Sequence, residues 1–134
     1  MTRTALRFAG YAALFDLRDG GNDVIRPGAF ARSLAERRDP LPLCWQHQAE
    51  LRIGWIERIA EDGRGLRVIA SLDNPDGTAA LSLQRGHVTG LSFGYRTRDA
   101  RMTPTGRELL AVDLFEVSLV THPMQHGARV HFVS

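Results

Sequence analysis

Apolar and polar residues alternate along most of the chain with the two-residue period that is typical of β-strands. Turn-forming residues, such as those at 16–22 and 103–106, separate the alternating segments. Strands are predicted over residues 6–15, 41–47, 52–60, 65–72, 88–98, 107–121 and 129–133. Pro42 indicates that the second of these strands lies at a sheet edge. The pair Asp62-Gly63 predicts a hairpin turn.

Two segments have helical character instead. Residues 27–38 open with Pro27, which suits a first helical turn, and residues 74–85 open with Asn74 as an N-cap. The connections between elements are short and mostly local. We therefore expect a mainly β fold with flanking helices (α+β), an antiparallel β-barrel of about six to seven strands.

Length and composition restrict the architecture further. The 134 residues suit one domain, so residues 1–134 are expected to fold as a unit. This length excludes a complete barrel of eight βα units. No apolar run is long enough for a transmembrane helix, and the N-terminus lacks a signal-peptide core. The single cysteine, Cys44, excludes an intrachain disulfide, which is typical of a reducing compartment.

The charged residues do not predict a nucleic-acid partner. All 17 basic residues are arginine, and the net charge is +2. Acidic residues are interleaved among them, and the longest basic block is Arg37-Arg38. This pattern favours a mixed solvated surface. A nucleic-acid-binding barrel is a weaker functional alternative, because only the arginine content supports it.

Three predicted strands each carry one residue with catalytic potential: His47, Ser92 and Glu116. A serine hydroxyl becomes an effective nucleophile when a base removes its proton and a third group orients that base. His47 could be the base and Glu116 the orienting carboxylate, which is costly to bury within LFEVSLV unless it is paired. The alternative is that the three residues have no catalytic role: His47 lies in a turn, Ser92 fills a small slot and Glu116 points to solvent. Spacing alone favours this alternative.

Strand alternation assigns the faces of the long strand 107–121. It places Leu114 and Glu116 on one face and Phe115 and Val117 on the opposite face, which we expect to be the core face.

The segment GLSFG at residues 90–94 matches the G-x-S-x-G motif of α/β-hydrolases. That motif requires a helix after a sharp turn at the serine, but a strand-like or loop sequence follows Ser92. We instead interpret Gly90 and Gly94 as leaving room for a substrate backbone.

Four residues could ligate zinc. Cys44 and His47 have C-x2-H spacing, and His122 and His126 have H-x3-H spacing. The two pairs are far apart in sequence, and no second cysteine supports a zinc finger. We therefore expect no metal, and the serine, histidine and carboxylate chemistry considered above needs no organic cofactor.

Six segments follow one another along nearly the whole chain: GYAALFD, IRPGAFARSL, WQH, RIGWIERIAEDGRGLRV, GHVTGLSFGYR and ELLAVDLFEVSLVTHP. In this order they resemble the prohead maturation proteases of tailed bacteriophages, which are distant relatives of the herpesvirus assemblins. The resemblance implies a helix-decorated, herpesvirus-protease-like β-barrel. In that family the residues resembling Ser92 and His47 are the nucleophile and its base. Glu116 is the third member by position, and His122 is the alternative because assemblins use a second histidine. Where the family often continues with Pro-Ala-Asn, this chain reads HPMQ.

The resemblance implies a serine endopeptidase that cleaves the capsid or scaffold protein during procapsid maturation of a phage or phage-like particle. The particle would be a phage, a prophage or a gene transfer agent. The expected substrate is the major capsid protein or its scaffolding segment, with self-cleavage as a further reaction. The enzyme is expected inside the procapsid, in the bacterial host cytoplasm, as a homodimer or procapsid-associated oligomer without a membrane partner.

The chain ends soon after these motifs, so we expect any scaffold to lie on another chain or on the capsid protein. Backbone amides should stabilise the oxyanion, with the loop after Thr121 and nearby Arg129 as candidates. The rival function is a catalytically silent structural or interaction component of the particle.

Overall fold

The computed structural model describes residues 6–134, which form eight strands and two short helices in one curled sheet with flanking helices. The strands are β1 (Leu6–Leu14), β2 (Asp23–Ile25), β3 (Pro42–Trp45), β4 (Gln48–Glu61), β5 (Gly65–Leu72), β6 (Gly90–Thr103), β7 (Gly106–Val120) and β8 (Val130–Val133). The helices are α1 (Ala31–Glu36) and α2 (Thr78–Gln84). Within residues 6–134, neither helix is long and apolar enough to cross a membrane.

The sheet is mixed and almost closes on itself. Its order is β2-β7-β3-β4-β5-β1-β8, with β6 on the other edge of β7. Neighbours are antiparallel except that β2 and β3 run parallel to β7. Leu91 N–H donates to Ala128 O, and Val130 N–H donates to Thr89 O, so the start of β6 meets the segment entering β8 without a continuous ladder. The predicted mainly β architecture with flanking helices is confirmed. The predicted antiparallel barrel of six to seven strands differs in detail, because the described residues form eight strands, two of the pairings are parallel and the sheet is not closed.

Inward-facing side chains of several strands fill one core. Phe8, Leu66, Val68, Leu91 and Leu119 are at most 1% exposed. Burying one such side chain contributes about 1.5–3 kcal/mol relative to leaving it in water. The period-two pattern of the sequence therefore identifies the faces that hold the sheet together.

A β-bulge in β7 changes the facing that strict alternation predicts. Gly94 of β6 pairs with Glu116, whereas the next residue of β6 pairs with Leu114. Phe115 therefore has no partner on β6 and turns outward, where it is 51% exposed. Leu114 and Val117 both enter the core. The prediction that Phe115 lies in the core and Leu114 beside Glu116 is wrong because alternation cannot register the extra residue.

Strand β3 lies inside the sheet, so the prediction of an edge strand is wrong. It pairs with β4 on one side and with β7 on the other. Pro42 is the first residue of the strand, and the pairing with β7 starts at Leu43. A proline at this position costs no ladder hydrogen bond. The internal position of β3 brings His47 next to β7.

Both helices begin later than the sequence predicts. Gly28 has a φ of +92°, so a turn precedes α1. The side chain of Asn74 accepts the Asp76 N–H within a turn, and Gly77 occupies the N-cap position of α2.

Candidate active site

Gln46 and His47 form the two-residue turn between β3 and β4. Their φ angles are 53° and 61°, so both adopt the left-handed conformation of a type I′ hairpin turn. Asn-Gly is the sequence that this turn favours. The left-handed conformation costs a residue other than glycine about 1–2 kcal/mol. The turn therefore needs support from outside its own sequence.

Hydrogen bonds from the end of β7 supply this support. Gln46 N–H donates to Leu119 O at 2.9 Å, and His47 N–H donates to Ser118 Oγ at 3.2 Å. The Gln46 amide also pairs with Thr121, donating to Oγ1 at 2.8 Å and accepting its N–H at 3.0 Å. These contacts hold the turn in a conformation that its residues do not prefer, as is common at functional sites.

The His47 imidazole contacts the Glu116 carboxylate. Nδ1 of His47 lies 2.8 Å from Oε1 of Glu116. The imidazole is 43% exposed and the carboxylate 13%. This hydrogen bond raises the pKa of His47 above its ordinary value, against the opposing effect of partial burial. With Nδ1–H held by the carboxylate, Nε2 is free to accept a proton.

Gly94 leaves space for this carboxylate. It lies opposite Glu116 in the ladder, and a Cβ at Gly94 would stand 2.5 Å from Glu116 Oε1. A Cβ at Gly90 would stand 2.7 Å from both Pro123 Cδ and Val120 O. Both glycines therefore accommodate groups of this chain. The interpretation that they make room for a substrate backbone is wrong at these two positions.

Ser92 lies on β6 directly opposite Ser118 of β7. Opposed residues of an antiparallel pair point to the same face, with Cβ atoms about 4.5–5.5 Å apart. Ser92 therefore shares a face with Ser118 and Glu116. Within residues 6–134 no hydrogen bond joins the Ser92 hydroxyl to His47, which follows β3 on the far side of β7. The structure thus joins two of the three candidate residues and places the third on the adjacent strand.

A small cavity of about 110 Å³ touches Ser92. Ala12, Phe93, Tyr95 and Met124 are among the other residues that line it. The nucleophile candidate therefore borders a space that could hold a small group.

The segment before β8 returns to the start of β6. Arg129 forms a backbone bridge with Gly90, and its Nη1 donates to Thr89 Oγ1 at 3.1 Å. Its Nε donates to His126 O at 2.7 Å. The Arg129 guanidinium thus lies near the beginning of the strand that carries Ser92, while the N–H groups of Ala128 and Val130 already donate to Gln125 O and Thr89 O.

The other candidate residues are not joined to this network. His122 is exposed, and within residues 6–134 no hydrogen bond connects it to His47. Cys44 is buried, and burial raises the pKa of its thiol. No group of three or more His, Cys, Asp or Glu side chains in the described part of the chain could hold a metal ion.

Sequence reasoning assigned no role to Ser118 or Gln46, although both contact the candidate site. The E-x-S spacing of Glu116 and Ser118 is the available signal, because it places a carboxylate and a hydroxyl on one strand face. The role of Gln46 depends on long-range contacts, which the sequence does not display.

The sequence matches a known protein family over almost its whole length. Residues 2–134 match the caudovirus prohead serine protease family. The chain is 34% identical over 130 residues to the prohead protease of Enterobacteria phage HK97, covering 92% of this chain and 58% of that protein. It is 27% identical over 123 residues to the capsid polyprotein of Pseudomonas phage PAJU2, covering 84% of this chain and 18% of that protein. The chain therefore spans less than two thirds of the length of these relatives.

Solved herpesvirus proteases share the fold. The KSHV protease in complex with a hexapeptide phosphonate inhibitor aligns with a TM-score of 0.68 at 13% identity, covering 98% of this chain and 65% of that chain. The varicella-zoster virus protease aligns with a TM-score of 0.65 at 19% identity, covering 98% and 64%. This similarity confirms the herpesvirus-protease-like fold. Because the family match extends over almost every residue, the chain belongs to the caudovirus prohead serine protease family.

Proposed function

We propose that this chain is a serine endopeptidase that cleaves the capsid or scaffold protein during procapsid maturation of a phage or phage-like particle. Family membership and the herpesvirus-protease fold support a protease of capsid maturation. The observation that carries the serine mechanism is the 2.8 Å contact between His47 Nδ1 and Glu116 Oε1, one strand away from Ser92.

In this mechanism His47 Nε2 accepts the Ser92 proton as Oγ attacks the scissile carbonyl. Glu116 holds Nδ1–H and stabilises the imidazolium that forms. His47 then protonates the leaving amine, and water hydrolyses the acyl-enzyme with the same base. Backbone amides of the loop after Thr121 are the proposed donors to the oxyanion, and no metal or organic cofactor takes part.

A free edge of β6 supports an extended peptide as the substrate. Within residues 6–134, no strand pairs with the edge of β6 that faces away from β7 beyond Leu91. A peptide that adds there as a further strand would pass beside Ser92. The cavity lined by Phe93 and Met124 would then accept a substrate side chain. The proposed substrate is the major capsid protein or its scaffolding segment, and self-cleavage requires no other chemistry.

A catalytically silent role in the particle is the second candidate. The lack of a hydrogen bond between Ser92 and His47, among the residues described, favours it. Catalytic hydrogen bonds are, however, often long or poorly aligned in ligand-free enzymes and shorten when substrate binds. Capsid processing by the wild type and by Ser92→Ala distinguishes the protease from the silent component.

The test is co-expression with the capsid protein of the same particle, followed by mass spectrometry of the capsid N-terminus. We expect processing with the wild type and none with Ser92→Ala, because removing a nucleophile costs several orders of magnitude in rate. Ser82→Ala on α2 is the control and should process normally. Capsid processing that persists with Ser92→Ala would refute the assignment of the nucleophile, and a wild type without processing would favour the silent role.

We further propose that activity depends on association, as a homodimer or a procapsid-associated oligomer inside the procapsid in the host cytoplasm. The His47 turn is strained and depends on a few hydrogen bonds, so small shifts would disturb the catalytic geometry. Specific activity on a peptide copied from the capsid cleavage site should rise with enzyme concentration. Specific activity that is independent of concentration would contradict this part of the proposal.

A further inference from the structure

We propose that Ser118 is a positioning residue, whose hydroxyl fixes both the turn that carries His47 and the carboxylate of Glu116. This inference rests on the proposed function, because it assigns Ser118 a part in the same site. Ser118 is fully buried on β7, directly opposite Ser92. Ser118 is the serine nearest to His47 and Glu116 in the β6–β7 ladder, but its burial makes it unsuitable as a nucleophile.

The hydrogen bonds of Ser118 have only one consistent direction. The hydroxyl accepts the backbone N–H of His47 at 3.2 Å and lies 2.5 Å from Glu116 Oε2. A backbone N–H can only donate, so the hydroxyl oxygen is its acceptor. The hydroxyl proton is then directed to the carboxylate, which can only accept when ionised. One side chain thus connects the main chain of the base to its orienting group.

The carboxylate is fixed because its two oxygens have different partners. Oε2 accepts from Ser118, and Oε1 faces His47 Nδ1 at 2.8 Å. Rotation of the carboxylate would break both contacts together. The arrangement assigns the Nδ1–H tautomer to neutral His47, which leaves Nε2 as the base. Ser118 therefore acts on the reaction through Glu116 and through the turn, without touching the substrate.

The same hydroxyl supports the left-handed backbone of His47, whose φ is 61°. Without Ser118 Oγ, the His47 N–H would lose its protein acceptor. A freed turn can relax toward ordinary backbone conformations, and a small displacement of a base lowers the rate of proton transfer.

The main test is Ser118→Ala, assayed for kcat, KM and the pH dependence of kcat/KM. We expect kcat to fall about 10- to 100-fold, in keeping with a displaced base, with KM within about twofold because Ser118 touches no substrate. Glu116 is the charged group that raises the pKa of His47. Cys44, Glu50 and Arg52 are the ionisable residues of β3 and β4 nearest this turn. Burial raises the pKa of the Cys44 thiol, Glu116 and Glu50 raise it further, and Arg52 opposes them. A loosened carboxylate should therefore return the pKa of His47 toward its ordinary value and move the acidic limb to lower pH.

Two further variants separate positioning from simple packing. Ser118→Thr keeps a hydroxyl and should restore the pH profile. Ser33→Ala is the matched control, since Ser33 is also buried and its hydroxyl accepts a backbone N–H, from Leu114 at 2.9 Å. It should lower stability about as much as Ser118→Ala does, without moving the acidic limb. An unchanged kcat and acidic limb in Ser118→Ala would overturn the inference. So would an activity loss that accompanies unfolding equally in both alanine variants.

NMR titration of the His47 imidazole in a Ser92→Ala background makes this test independent of activity. The pKa of His47 should be lower with Ser118→Ala than without it, and assignment follows from His47→Gln. If the wild type cleaves nothing, the proposed function fails, while this titration still decides the role of Ser118. An identical pKa of His47 with and without the Ser118 hydroxyl would refute the positioning role even in an active protease.

Discussion

The two hairpin turns at the ends of β4 are built in opposite ways. The turn between β4 and β5 is stabilised locally, because Asp62 accepts the N–H groups of Arg64 and Gly65 at 2.8 and 3.1 Å. The turn between β3 and β4 places Gln46 and His47 in the left-handed conformation, and residues more than 70 positions away hold it. The first turn follows ordinary turn chemistry, whereas the second contradicts it.

This difference indicates where the fold accepts strain. A local turn contributes to stability wherever it occurs, but a turn fixed by a neighbouring strand also fixes its side chains relative to that strand. At the His47 turn the neighbouring strand is β7, which carries Glu116. Backbone strain that the surrounding structure maintains is a common feature of active sites. We infer that the His47 turn is strained because it must present the imidazole to Glu116.

The largest expected difference in kcat is between variants of the two carboxylates that lie beside the two turns, Glu116 and Asp62. Glu116→Gln removes the charge that stabilises the imidazolium and can place the His47 proton on the wrong nitrogen. We expect kcat to fall by about 10³- to 10⁴-fold. Asp62→Asn keeps an acceptor oxygen in the other turn and should leave kcat within about twofold. Steady-state kinetics on the capsid-derived peptide measure both, and comparable activities would contradict the role of Glu116.

Glycine substitutions near the two turns should differ almost as much. A Cβ at Gly94 would stand 2.5 Å from Glu116 Oε1, whereas a Cβ at Gly63 would meet open space. Gly94→Ala should displace the carboxylate and reduce kcat by about 10²-fold, while Gly63→Ala should leave it unchanged. Thermal unfolding checks that both variants remain folded. Full activity in Gly94→Ala would show that the carboxylate position is not critical.

Removing the side chains that stabilise the two turns should mainly lower stability at the Asp62 turn and mainly lower activity at the His47 turn. Asp62→Ala deletes the hydrogen bonds with the Arg64 and Gly65 N–H groups and with the Tyr11 hydroxyl. It should lower the free energy of unfolding with little change in kcat. Gln46→Ala deletes the two contacts with Thr121 and should lower kcat by about tenfold at a similar or smaller cost in stability. Urea unfolding and kinetics on the same samples test this contrast. A larger loss of kcat in Asp62→Ala than in Gln46→Ala would reverse it.

The smallest effects are in the pH dependence of stability. The raised pKa of His47 means that its contribution is present below about pH 6.5 and declines as the pH rises through the folded pKa. The pKa of Asp62 is lowered, chiefly by the Tyr11 hydroxyl, so its contribution declines only as the pH falls below about 3.9. For His47 the effect should stay below about 1 kcal/mol because the pair is partly exposed. Unfolding of wild type, His47→Gln and Asp62→Asn across pH measures it, and a His47 contribution that grows above pH 6.5 would contradict the sign.

The same contrast explains what could be predicted from sequence. The hairpin at Asp62 and the two long strands that flank the turn at 103–106 follow from alternation and turn residues, and the structure confirms them. Strand β2 was not predicted, because three residues give no recognisable period and pair only through β7. The bulge at Phe115 was missed for a related reason, since an extra residue is defined by the partner strand.

The candidate site could likewise be predicted only in part. His47, Ser92 and Glu116 were proposed from residue types and a family resemblance, and the contact between His47 and Glu116 is a feature of the fold that spacing alone did not favour. The left-handed turn and the part played by Ser118 depend on residues about 70 positions apart. Such support is invisible to any local pattern.

The most direct test of the central claim is mapping of a fluorophosphonate adduct by mass spectrometry. The reagent forms a covalent bond with a serine that a neighbouring base activates. We expect one adduct, on Ser92, at a rate that falls sharply in His47→Gln and Glu116→Gln. The labelling should be measured at the enzyme concentration that gives peptide cleavage. An adduct on another serine would contradict the claim. So would complete inhibition of peptide cleavage by the reagent while Ser92 remains unmodified.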